Sequence, residues 1–207
     1  MKALSTFSLW LLIAAATPLV ITTMAYSQEE SKSSKSSKSS KSSKSSKSSS
    51  SSIILHGTDI GNPVISGSSR RIGPDSFIVH GGGKTDSNTY TSFGLSDDYY
   101  CLDKEMLGSF QIFARITLLD NDFQGMVGLM VRESIEPGSI HVFANSQKIS
   151  DFPFRQVVRT HRAVTDKGTT HLYLKNSKYD RVWFRIDRIG NDVIAYYAPD
   201  DESMPLV

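Results

Sequence analysis

The chain has 207 residues with 39% hydrophobic side chains, and its 23 basic residues nearly balance 21 acidic ones, a composition that excludes a wholly disordered or polytopic membrane protein. Cys101 is the single cysteine, which excludes an intramolecular disulfide framework and a cysteine-based metal site. The near-neutral total hides an uneven distribution, because seven of the basic residues lie before Ile53 and the remaining chain carries 16 basic against 19 acidic groups.

Lys2 precedes an uncharged, mostly apolar run from Leu9 to Met24. This run is shorter than the roughly 20 apolar residues a membrane-spanning helix needs and contains Pro18, so it reads as an export signal over residues 1–27 rather than an anchor. Ala25 and Ser27 are small residues suited to cleavage before Gln28. The expectation is a secreted, extracellular chain with no stable membrane span after cleavage. In that compartment the lone thiol either pairs between chains or, more commonly, packs as a small apolar side chain.

Residues 28–52 form a low-complexity arm in which Lys32, Lys35, Lys38, Lys41, Lys44 and Lys47 recur at a period of three among serines. With no apolar side chain to offset the entropy of ordering, the arm is expected to be solvated and disordered. A basic arm on a mildly acidic body points to a polyanionic surface as partner of the arm rather than of the domain, and no nucleic acid is expected. A plain spacer is an equally ordinary use of such a segment. Phosphorylation of a few serines would make the arm zwitterionic, and its composition resembles that of silica-forming wall peptides.

From Ile53 to Val207 short runs of Val, Ile, Phe and Tyr alternate with Gly, Asn, Asp, Ser and Pro clusters, the texture of an all-β domain. Strands are predicted near 63–66, 76–80, 99–102, 109–119, 125–132, 140–145, 154–160, 170–174, 181–188 and 192–198. Period-two alternation puts Phe110, Ile112, Ala114, Ile116 and Leu118 on one side of a strand, and Val182, Phe184 and Ile186 on one side of another. Ile189-Gly190-Asn191-Asp192 has the residues of a tight hairpin turn.

Three motifs appear in order: Asp59-Ile60-Gly61-Asn62-Pro63 followed by Gly67, then GMVGLMVRES over residues 125–134, then WFRIDRIGNDVIAYYAPD from Trp183 to Asp200. Together they resemble an extracellular module of the concanavalin A-like lectin/glucanase superfamily, laminin-G-like in kind and mostly without an assigned biochemical role. The resemblance covers about residues 58–200 and implies a jelly-roll β-sandwich of two antiparallel sheets. It departs over residues 159–179, and it implies two or three closing strands beyond Tyr197, so that a chain ending at Val207 reads as incomplete with an uncovered strand edge.

Glucanases of that fold place carboxylates at alternate positions of one strand, and no such run occurs here. Asp120-Asn121-Asp122 reads as a turn, Glu133 as half of a structural pair beside Arg132, and Gly81-Gly82-Gly83-Lys84 as a strand connection without phosphate-loop spacing. The five histidines show no metal-ligand spacing. Asp97-Asp98 and Asp200-Asp201-Glu202 carry oxygens of the kind calcium takes, although acids in loops are more often simply solvated, and no cofactor is expected. The remaining candidates for ligand contact are outward-facing positions: Met130 and Arg132 on one strand, Trp183 and Arg185 on another, with His141 and Phe143 joining them through a local bulge. Aromatic rings and guanidiniums suit an extracellular polysaccharide. The expectation is a non-catalytic binding or adhesion module, with attachment through the arm as the alternative and a glycan-active enzyme as the disfavoured one.

Overall fold

The computed structural model describes residues 7–14, 18–28, 54–63, 65–81, 97–118, 125–148, 155–177 and 181–200, the first two segments as backbone and strand pairings only. Every regular element among the described residues is a β-strand: β1 (Phe7–Ala14), β2 (Pro18–Gln28), β3 (His56–Ile60), β4 (Ser68–Gly73), β5 (Ser76–His80), β6 (Tyr99–Met106), β7 (Phe110–Leu118), β8 (Gly125–Arg132), β9 (His141–Lys148), β10 (Arg155–Arg162), β11 (Thr170–Ser177), β12 (Arg181–Ile189) and β13 (Asp192–Pro199). No helix among the described residues is long and apolar enough to cross a membrane.

The strands pair antiparallel in two sheets, one of order β11-β10-β9-β8-β1-β6-β3 and the other of order β13-β12-β7-β2-β5-β4. The predicted alternation brings the sheets together. Phe110, Ile112, Ala114 and Ile116 of β7 and Val182, Phe184 and Ile186 of β12 are buried in one cluster with Leu102, Val127, Leu129, Val131 and Val157 of the other sheet. Each large apolar side chain so buried contributes about 1.5–3 kcal/mol, and the result is an all-β domain of sandwich type. A second cluster, Ile60, Tyr99, Cys101, Met126, Met130 and Phe143, lies on the opposite face of the seven-stranded sheet, since side chains alternate between faces along each strand. This explains why 126–131 is apolar throughout: β8 is buried on both faces.

The turn at Gly190 and Asn191 joins β12 to β13 as expected, with Gly190 at φ 62°, a left-handed value that favours glycine. Gly128 answers a different need. A Cβ there would lie 1.9 Å from the Ala144 carbonyl oxygen of β9, so only glycine lets the two strands approach.

Of the strand predicted at 63–66, the described residues Pro63, Ile65 and Ser66 are not in a strand. Pro63 lacks an N–H, and the described residues around it run as bends while the Asp59 carboxylate accepts the Gly67 N–H at 3.0 Å. Two strands flank that turn instead, and β4, Ser-Ser-Arg-Arg-Ile-Gly, escaped prediction because it is an exposed edge strand without alternation. Residues 170–177, in the segment that departs from the resemblance, pair with β10 across a register irregularity between Val157 and Val158. The apolar run read as an export signal supplies β1 and β2, each at an interior position of its sheet. The Lys/Ser tract from residue 29 onward and Asp120-Asn121-Asp122 lie outside the described residues.

Gly128→Ala should lower stability by about 1–3 kcal/mol, a fall of roughly 2–4 °C in Tm for each kcal/mol at this chain length, measurable by calorimetry. Unchanged melting would mean that β8 and β9 do not pack in this register.

Candidate functional site

The outward positions singled out in the sequence divide between the two sheets. Met130, Arg132 and His141 stand on the outer side of the seven-stranded sheet, and Trp183 and Arg185 on the outer side of the six-stranded sheet. The two groups are not brought together.

On the first sheet the outward residues are buried. In the β8/β9 register Met130 is opposite Phe143 and Arg132 is opposite His141, and the regular pairing of β9 makes a bulge unnecessary: residues 141 and 143 share a face by period two. Met130 and Arg132 are 0% exposed and His141 is 1% exposed, which removes all three from surface contact with a ligand. Their role is local. Asp97, in the acid pair weighed for calcium, lies beneath them and accepts a forked pair from Arg162, Nη2 at 2.7 Å and Nη1 at 3.0 Å. Arg132 Nη1 reaches the same carboxylate at 3.2 Å and also donates to the Tyr99 hydroxyl. Arg132 therefore pairs with Asp97.

Backbone carbonyls take the other guanidinium protons. Arg132 donates to Ser134 and Glu136, and Arg162 to Pro137, Ser139 and Lys167. The two side chains thereby fasten the 133–140 and 163–168 loops to the sheet. Burial lowers the Arg132 pKa to about 10, which leaves it charged at neutral pH. Burial, reinforced by both guanidiniums, depresses His141 to about 3. The His141 ring is thus neutral, with Nδ1 3.3 Å from the Ser139 carbonyl. Asp98 turns the other way and accepts the Asn62 N–H at 2.9 Å. Cys101 is buried, donates to the Thr58 carbonyl, and has its thiol pKa raised by burial, the state of a packing residue rather than a reactive one.

The outer side of the six-stranded sheet is different in kind. Register places Arg115, Trp183 and Ala198 in one row, Phe113, Arg185 and Tyr196 in the next, and Gln111, Asp187 and Ile194 in a third. Asp200 accepts from Arg115 at 2.7 Å and from the Trp183 indole N–H at 3.1 Å, fixing both. Phe113 and Trp183 rings meet at 6.2 Å between centroids. Arg185 is held by Asp187 at 2.8 Å, a contact that raises the arginine pKa and lowers that of the aspartate, and it lies 4.8 Å over the Tyr196 ring. Tyr196 is 43% exposed. The surface is an ordered platform of three aromatic rings and two oriented guanidiniums, chemistry that stacks on apolar ring faces and donates hydrogen bonds.

Sequence reasoning found Trp183 and Arg185 but missed Phe113, Arg115 and Tyr196, although the same alternation on β7 and β13 points them outward. It also missed Arg162 and the structural use of Asp97, which depend on contacts between distant segments. No group of three or more metal-ligating side chains occurs among the described residues. No protein-family model matches this chain, and no curated protein or solved structure matches it.

Two outcomes follow from the buried cluster. Asp97→Asn leaves two buried guanidiniums without their shared carboxylate and should cost about 3–5 kcal/mol, read by denaturant unfolding. Because the unfolded chain protonates His141 near pH 6.5 and the folded chain only near 3, the unfolded state binds more protons between these values. Stability should therefore fall on acidification, by up to about 2 kcal/mol between pH 6.5 and about pH 5. His141→Gln should flatten that slope, and an unchanged slope would contradict the assignment.

Proposed function

We propose that the protein is a secreted, non-catalytic binding or adhesion module with the jelly-roll connectivity of the concanavalin A-like sandwiches, and that its ligand is an extracellular polysaccharide. The observation that carries this reading is the platform of Phe113, Trp183, Arg185 and Tyr196 on the outer side of the six-stranded sheet. The three rings come from three neighbouring strands, β7, β12 and β13, spaced about 4.7–4.9 Å apart, so that the platform is wide enough for more than one sugar unit. Asp187 and Asp200 pair with the two arginines, which leaves the surface near electrical balance and favours a neutral glycan over a strongly acidic one.

The period-three lysines support a second reading, in which the Lys/Ser arm supplies attachment to a mineral or polyanionic wall surface. The two readings separate experimentally. Against a panel of insoluble and soluble polysaccharides, Trp183→Ala and Tyr196→Ala should each weaken binding about tenfold or more, equivalent to about 1.4 kcal/mol, with the melting profile used to set aside misfolded variants. Removal of residues 31–52 should leave this binding intact. Binding that survives both aromatic substitutions but disappears with the arm would transfer the function to the arm.

A further inference from the structure

Each sheet has one interior strand that comes from the leader. β1 lies between β6 and β8, with Leu11 in register with Leu102 on one side and Leu129 on the other. β2 lies between β5 and β7, with Ile21 opposite Phe77 and Ile116. The walls of both positions belong to the body of the chain, because β6 also pairs with β3, β8 with β9, β5 with β4 and β7 with β12. The Phe7–Gln28 segment, called the arch below, therefore places β1 in one sheet and β2 in the other.

The composition of the arch matches these positions. Phe-Ser-Leu-Trp-Leu-Leu-Ile-Ala is apolar at nearly every position, as a strand set between strands buried on both faces requires. In β2 the positions opposite core-facing neighbours are Leu19, Ile21, Met24 and Tyr26, whereas Thr22, Ala25 and Ser27 stand opposite the outward Arg115, Phe113 and Gln111. Pro18 is the first residue of its strand, where a missing N–H is tolerated.

We propose that the body of the chain is a strand acceptor with one slot in each sheet, and that the Phe7–Gln28 segment fills both slots even when it is supplied as a separate chain. Loss of the arch leaves facing edges of β6 and β8, and of β5 and β7, without their backbone partners, and buried amides and carbonyls cannot remain unpaired without cost. It also uncovers Leu102, Leu129, Phe77 and Ile116 in the central core.

The test uses the full chain with a specific protease site introduced within residues 33–46. After cutting, the arch fragment should co-elute with the body, and a synthetic, isotopically labelled peptide of residues 7–28 should enter the body at one per chain when the cut protein is unfolded and refolded with it. Amides of β6 and β8 should lose hydrogen-exchange protection when the peptide is omitted, and the arch-free body should associate or melt lower. Leu11→Asp in the peptide should reduce incorporation at least tenfold. Elution of the fragment apart from a monomeric body with unchanged amide protection, or equal uptake of the Leu11→Asp peptide, would overturn the proposal.

Discussion

A carboxylate removed from water needs partners, and the partners recruited by Asp97 organise one end of the molecule. Arg162 from β10 and Arg132 from β8 converge on it, and their remaining donors reach the carbonyls of two loops. Desolvation of such a group is costly enough that the cluster forms only when all three side chains and the loops are in place together. Three segments distant in sequence are thereby held in one arrangement, with the packing of Met130, Phe143 and Tyr99 beside it. The cluster is a fastener: its charged groups face each other, and none is available to a ligand.

That fastener accounts for the contrast between the outer faces of the two sheets. On the seven-stranded sheet the arginines are fully buried and committed to Asp97 and to backbone. On the six-stranded sheet Arg115 and Arg185 are held by carboxylates, beside the half-buried rings of Phe113 and Trp183 and the exposed ring of Tyr196. The same residue types in strands of the same alternation thus serve cohesion on one side and form a contact surface on the other. Burial decides which, and burial is set by what folds over each face.

The Phe7–Gln28 segment shows two competing uses of one sequence. An uncharged apolar run before a basic, serine-rich tract has the features of an export signal, and the same run has the length and pattern of two interior strands. Hydrophobicity is the requirement in both settings, so neither excludes the other by composition. The registers of β1 and β2 carry the structural use, since the alternation of β2 follows that of β7 on either side of an irregularity between Thr22 and Met24.

The strands from β5 to β13, the all-β class, the core-facing residues of β7 and β12 and the hairpin at Gly190 were legible in the sequence because period-two patterning and turn chemistry are local properties. The strands β1 to β4 were not, since β1 and β2 lie in a run with the features of an export signal and the short or polar β3 and β4 carry little pattern, and neither were the uses of Asp97, Arg132, Arg162 and His141. Parity assigns a side chain to a face but cannot say whether that face is wet. For Trp183 and Arg185 the outward direction read from the sequence leads to the surface, and for Met130, Arg132 and His141 it leads to a second buried layer. Only the tertiary structure separated these outcomes, because burial depends on contacts among residues far apart in the chain.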